Sequence, residues 1–333
     1  MSPSNDTHET TFPPRRAVGP AVAVLGAGGI GRHHANWWRV EGARVTAILG
    51  RTPETVRASA EKLRALFGFD GAVFTDLPTL LREARPEIVD VCSPAARHFE
   101  HARTALTGGC HVLCEKPLVY DAGLADERLL AQGEELVALA RAGARRFGLC
   151  SQFSVAARTC ADLLRARDPA PVTALRLELR SPARGRPPDP AQAWIDLGPH
   201  LVAALQTLLP GASPDWETLR VACAGYEADL SFRAGGASVR LTTGFTLAGE
   251  TANIRRIGIN GSAFDLIGEN GPDGLFRMRY RSDNGIDEAR PDPMRLLIRE
   301  FLQDRPPLGP DAALANQRLL LRLRAAIASV SNQ

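Results

Sequence analysis

The sequence predicts an α/β chain in two parts: a doubly wound parallel sheet, then an α/β domain with an open, mostly antiparallel sheet. Three observations predict it. Short apolar runs alternate with helix-like segments over the first 150 residues. A glycine-rich turn joins the first such run to the first helix. After residue 150 the pattern changes to alternating strands joined by Gly-Gly and Asn-Gly turns.

The elements follow in order. Residues 1–19 are polar and proline-containing and are expected to be a disordered tail. Ala21-Val22-Ala23-Val24-Leu25 reads as a buried parallel strand. Gly26-Ala27-Gly28-Gly29-Ile30-Gly31 follows at once, then a helix over 32–40. This strand–GxGxxG–helix context is that of a Rossmann dinucleotide site. Gly26 would make the tight turn and Gly31 the close helix–strand contact. The backbone of Gly28, Gly29 and Ile30 would face a pyrophosphate at the helix N-terminus. The strand 44–49 ends in Gly50-Arg51-Thr52 where an NAD site usually has an acid; Arg51 and Thr52 suit a 2′-phosphate, so NADP(H) is favoured over NAD(H). Strands at 72–74, 87–92 and 111–114 and helices at 53–67, 77–83 and 97–106 continue the sheet. Ser93-Pro94 and Glu115-Lys116 end strands at its carboxyl edge, where ligands bind, and His98 follows the first of these ends.

In the second half, 172–180 alternates Leu175, Leu177 and Leu179 against Arg176, Glu178 and Arg180. Residues 230–245 read as a hairpin about Gly235-Gly236, and Asn260-Gly261 and Asn270-Gly271 mark further turns. Helices at 293–302 and 312–330 close the pattern and are expected to pack back on the first domain. Domains are thus expected at 20–150 and 151–333.

Composition bounds the function. The 333 residues are 44% hydrophobic and 23% charged, ordinary for a soluble globular protein of about two domains. A net charge of +3 without basic runs argues against nucleic acid or an anionic membrane as partner. No apolar run spans a bilayer. The six cysteines lack CxxC pairing and are expected to be reduced, mostly buried thiols; no metal-ligand spacing is seen. Arg15-Arg16 before an apolar stretch imitates an export signal, but that stretch is used as the first strand, and a cytoplasmic location is expected.

Only two of the 40 basic residues are lysines: Lys62 in an amphipathic helix, and Lys116 at a strand end. Arginine cannot release its proton near neutrality, whereas lysine can, which marks Lys116 for catalysis. Asp196 and His200 are spaced one helical turn apart. Asp196 reads as a helix N-cap with Pro199 in the first turn, and as a carboxylate that raises and orients His200. His33, His34 and His111 read as structural.

The fingerprint, Glu115-Lys116-Pro117 and Asp196-x-x-x-His200, in this order, resemble the Gfo/Idh/MocA oxidoreductase family. The resemblance implies a substrate held between the two domains, with Lys116 polarising the reacting hydroxyl or carbonyl and His200 as general acid/base. Asp196 would orient His200 or the substrate. His98, by its place after the Ser93-Pro94 edge, is expected at the nicotinamide ribose and Glu115 at the cofactor, while Ser93 and Pro94 would line the nicotinamide by the resemblance. It implies hydride transfer between a nicotinamide cofactor and a secondary alcohol or ketone of a sugar, cyclitol or sugar-derived metabolite. Within the same fold it leaves open a retained dinucleotide used transiently, imine reduction, or a non-catalytic regulator. Where relatives carry glycines before the Asp-x-x-x-His, this chain has Gln192-Ala193-Trp194-Ile195, so Trp194 is expected to narrow the pocket. Arg184 and Arg186 either meet an acidic substrate group or are solvated loop arginines. A homodimer or homotetramer is expected from the open sheet.

Overall fold

The computed structural model describes residues 19–247 and 253–331. The predicted tail and the Arg15-Arg16 pair therefore lie outside the described residues, Gly19 excepted. Six parallel strands form the first sheet: β1 (Ala21–Leu25), β2 (Arg44–Leu49), β3 (Ala72–Phe74), β4 (Ile88–Val91), β5 (His111–Glu115) and β6 (Phe147–Cys150), in the order β3-β2-β1-β4-β5-β6. Every residue of β1 and β4 is buried, as a sheet covered on both faces requires. Helices α1 (Ile30–Val40), α2 (Pro53–Phe67), α3 (Leu77–Ala84), α4 (His98–Thr107) and α5 (Asp126–Ala142) connect the strands. The start of α2 shows how locally these ends are written: Thr52 caps it, Pro53 opens it, and Gly68 closes it in the left-handed region.

After α6 (Gln152–Arg165) comes an eight-stranded sheet: β7 (Ala174–Pro182), β8 (Pro214–Ala224), β9 (Glu227–Ala234), β10 (Ala237–Thr246), β11 (Ile254–Ile259), β12 (Ser262–Asn270), β13 (Phe276–Ser282) and β14 (Asp287–Pro291). Its order is β14-β13-β12-β11-β7-β10-β9-β8, antiparallel except where β10 runs parallel to β7. Leu175, Leu177 and Leu179 of β7 face a core shared with α6 and α7 (Pro190–Leu208). The opposite face is laced with ion pairs, among them Arg180–Glu227, Arg256–Asp265 and Arg279–Glu269. The last helices return to the first sheet. α8 (Pro293–Leu302) packs on α1, where the Trp37 indole donates to Asp292 at 3.0 Å, and α9 (Pro310–Ser331) lies across α5 and α7.

One helix start differs from the sequence reading. α7 begins at Pro190, capped by the Asp189 carboxylate on the Gln192 N–H at 3.0 Å, so Asp196 and Pro199 are interior. Asp-Pro is the stronger start signal, and the burial of most of α7 outweighs the roughly 3 kcal/mol cost of an internal proline. Five cysteines are buried and Cys223 is half-buried. Among the described residues no helix is long and apolar enough to cross a membrane.

Candidate active site

The glycine turn is shaped by contact with the end of β4. Gly26 has φ +91°, and a Cβ there would lie 2.7 Å from the Cys92 carbonyl oxygen. A Cβ on Gly31 would lie 2.6 Å from the Gly26 carbonyl oxygen. Gly29, by contrast, faces open space, and a Cβ on Gly28 would meet only Ser59 Oγ at 3.6 Å. α1 has no side-chain cap and no acid in its first turn. The result is a bare backbone and free N–H groups at a positive helix end, which fits a dinucleotide pyrophosphate.

Beside this turn lies a cavity of about 380 Å³ whose lining includes Gly26, Gly50, Arg51, Ser93, Pro94 and Arg97. Among the described residues no carboxylate lines it. Arg51 is exposed at its mouth, and Arg97 adds a second guanidinium that sequence reading did not single out. Thr52 also serves its own helix: its hydroxyl oxygen accepts from Thr55 N at 3.3 Å in the α2 cap, which leaves its O–H able to donate.

Two further assignments change. His98 was expected at the nicotinamide ribose. It is 1% exposed, and its ring nitrogens lie 2.8 Å from the carbonyl oxygens of Pro117 and Ser93. Burial lowers its proton affinity, so the ring donates to one of these carbonyls and lies against the other, bracing the ends of β4 and β5. His101 completes this brace, with Nδ1 2.9 Å from Ser93 Oγ. Glu115 was also expected at the cofactor but is buried beneath it. Its Oε1 lies 3.2 Å from His34 Nε2, and its Oε2 accepts the Lys116 N–H at 3.1 Å. Burial opposes its ionisation, but the hydrogen bond and charge of His34, with Lys116 and His200, hold the carboxyl at about 2.

His34 is the centre of this network. Its Nδ1 lies 2.9 Å from Asp90 Oδ2, which also accepts the Trp38 indole N–H at 2.6 Å. Burial works against a charge on the ring, but Cys92 and Asp90 beside it raise its proton affinity well above the ordinary value. Cys92 and Cys150 also approach the ring, so two triads, His34-Asp90-Cys92 and His34-Glu115-Cys150, have metal-ligating chemistry. A protonated imidazole has no lone pair for a metal, and here both nitrogens face carboxylates; the geometry is that of an imidazolium between two acids. Sequence spacing gave no sign of this cluster, because its members come from α1, β4, β5 and β6.

Lys116 leaves the end of β5 and reaches α7, where its Nζ donates to the Asp196 carbonyl oxygen at 2.8 Å. Pro199 has no N–H for the carbonyl at 195 and its ring presses on that turn; the next carbonyl takes the ammonium. Lys116 thus meets α7 one turn before His200. The Asp196 side chain does not orient His200. Its Oδ2 pairs with Arg186 at 2.9 Å and its Oδ1 accepts from Gln192 at 3.2 Å. The partner of His200 is Ser151, whose Oγ lies 2.9 Å from Nδ1, while Phe153 packs on the ring at 5.2 Å between centroids. Nor is the proton affinity of His200 raised. Burial first, then the Lys116 charge, lowers it to about 3, so the imidazole is neutral. Ser151 is 49 positions away in sequence, and nothing local announces it.

The remaining substrate candidates also move. Trp194 is fully buried, its indole donating to the Leu320 carbonyl at 3.0 Å, so it is core and not pocket wall. Its position in the turn before Asp196 suggested the site, but α7 turns that face into the sheet core. Arg184 is exposed in a left-handed turn. Arg186 is engaged by Asp196 and by the Phe245 ring, 4.8 Å away.

Residues 21–149 match the family described as an oxidoreductase family with NAD-binding Rossmann fold. The chain is 36% identical over 98 residues to the D-glucoside 3-dehydrogenase of Escherichia coli (strain K12), 29% of this chain and 26% of that protein. It is 39% identical over 103 residues to an inositol 2-dehydrogenase of Streptomyces avermitilis, 30% of this chain and 28% of that protein. The chain thus aligns with little more than a quarter of the length of these curated relatives. The structure of a UDP-N-acetylglucosamine 3-dehydrogenase from Acidithiobacillus ferrooxidans superposes with TM-score 0.70 over 94% of this chain and 99% of that one, at 20% identity, a likeness of fold. Residues 21–149, with their nucleotide-binding turn, thus match the Gfo/Idh/MocA oxidoreductase family, and the chain as a whole shares its two-sheet fold with the solved structure.

Proposed function

We propose that the protein is an NAD(P)-dependent oxidoreductase acting on a secondary alcohol or ketone of a sugar, cyclitol or sugar-derived metabolite. The observation that carries this reading is the convergence of Lys116 and His200 on one turn of α7, beside the Ser93-Pro94 edge of the dinucleotide cavity. The bound dinucleotide would take up or supply the hydride. Lys116, its ammonium already oriented by the Asp196 carbonyl, stabilises negative charge on the reacting oxygen. In the oxidative direction, neutral His200 accepts the hydroxyl proton at Nε2; in the reductive direction it returns it. The Ser151 hydroxyl both donates and accepts, so it can serve either tautomer through Nδ1. Arg51 and Arg97, with no carboxylate in the lining, favour NADP(H).

The test is Lys116→Met. Turnover of a polyol and sugar panel, read from nicotinamide absorbance, is expected to vanish while NADPH still binds. Full activity in this variant would end the assignment. Parallel titration with NADPH and NADH decides the cofactor, and Arg51→Ala is expected to erase a preference for NADPH.

A further inference from the structure

We propose that Arg255 receives an anionic group, a carboxylate or phosphate, on the substrate, so that the natural substrate is a sugar acid or sugar phosphate and not a neutral polyol. This rests on the oxidoreductase reading above for what the substrate is, but the anion site stands on its own observations.

The first is register. On β11, Ile259 pairs with Leu175 and Ile257 with Leu177, and all four side chains are buried in the core beneath α6 and α7. Directly paired residues of antiparallel strands share a face. Arg255 pairs with Leu179, so it takes the next inward place in this apolar row. Its neighbour Arg256 points outward and is bonded to Asp265 at 2.8 Å.

The second is the lack of a partner. Half-buried arginines of this sheet such as Arg180, with Glu178 and Glu227, and Arg279, with Glu269 and Asp287, are paired, whereas Arg176 and Arg281, which make no side-chain bond among the described residues, are exposed. Arg255 is half-buried, yet it makes no hydrogen bond or ion pair among the described residues. A desolvated guanidinium without an acceptor is costly, and a planar fork of donors suits a carboxylate or phosphate. The acid in electrostatic reach, Asp292, has both oxygens in use, by the Trp37 indole at 3.0 Å and Met294 N at 2.9 Å.

The third is position. α6 packs on β11, and the start of α6 supplies Ser151 and Phe153 to His200. The Arg255 charge is felt at His200, after that of Lys116. Two cations thus act on the same imidazole: Lys116 is fixed by a carbonyl, whereas Arg255 is left for a ligand. Arg186, the loop candidate for this role, is already neutralised by Asp196.

The test uses the protein saturated with NADPH, or with NADH where that binds more tightly, so that the pyrophosphate site is filled. D-Glucuronate, D-glucose 6-phosphate and D-glucose are titrated in, and binding is read from nicotinamide fluorescence. One of the two anions is expected to bind roughly tenfold or more tightly than glucose, the scale of a charge-assisted hydrogen bond. Which one does so tells carboxylate from phosphate. Arg255→Gln is expected to abolish the preference and Arg255→Lys to keep part of it, with dinucleotide affinity unchanged in both. The proposal is overturned if neither anion is preferred over glucose, or if the preference survives in Arg255→Gln. Should that variant fail to fold, the wild-type comparison and Arg255→Lys decide. Turnover is read separately: anion binding without it would leave the Arg255 site standing and count against the oxidoreductase reading alone.

Discussion

Replacing His34 by Gln asks whether a protonated imidazole holds the charge network beneath Lys116. The ring lies between Asp90 and Glu115 at 2.9 and 3.2 Å, and all three side chains are buried. Glu115 is held at about 2, against an ordinary 4.5. At about 1.4 kcal/mol for each tenfold in proton affinity, that depression contributes about 3 kcal/mol of stability at neutral pH. A carboxyl lowered in this way gives stability that is present above pH 4.5 and lost as pH falls toward 2. His34, raised above 6.5, gives stability that is complete below 6.5 and fades as pH rises through its folded value. Without His34, burial becomes the main influence on Glu115 and pushes its carboxyl up. Glu115 then costs stability at neutral pH and costs less on acidification. Urea unfolding at about pH 7 is therefore expected to show a loss of about 3 kcal/mol, in the range for breaking a buried pair. A loss below about 1 kcal/mol refutes the imidazolium clamp.

Two further outcomes follow from the site. Because His200 is held at about 3, it stays neutral through the physiological range, so the rate should show no acidic limb near pH 6.5; a limb there would mean an ordinary histidine. Ser151→Ala is expected to lower kcat by roughly tenfold or more through loss of the Nδ1 partner, with dinucleotide affinity unchanged. Trp194→Ala is expected to cost roughly 3–5 kcal/mol in chemical denaturation, as for a large core aromatic. In Trp194→Phe, which keeps much of the volume, substrate KM should stay near wild type; a large change in KM with stability intact would return Trp194 to the pocket.

What could be read from the sequence was local. The turn 26–31, the caps of α2 and the hairpins of the second sheet are written in adjacent residues whose backbone demands are specific. Lys116 stood out through a compositional contrast, and its place at the end of β5 followed from the order of strands. The errors share one physical cause: a side chain was paired with a near neighbour when a distant one was better placed. Asp196 and His200 are one turn apart, yet Arg186 and Ser151 take them. Thr52 was read for a phosphate alone, whereas its oxygen also accepts from an N–H of its own helix. His34 and Glu115 meet across 81 positions, and only the parallel sheet brings them together. Arg255 was invisible because its meaning lies in what does not touch it.

α9 gives the chain an order of events during synthesis. Gln317 binds the Val119 backbone in both directions, at 3.3 and 2.7 Å, just beyond Lys116. Asn316 donates to the Pro199 carbonyl at 3.1 Å, just before His200, and Leu320 takes the Trp194 indole. One helix turn therefore joins the segment carrying the lysine to the segment carrying the histidine. On a ribosome both segments would emerge long before the residues that clamp them. The nucleotide domain waits for them too, because Leu297, Ile298 and Phe301 of α8 and Ala313, Leu314 and Leu321 of α9 lie in the cores that cover its sheet. The fold that would hold a dinucleotide and the alignment of Lys116 with His200 are therefore completed together, by the same two helices.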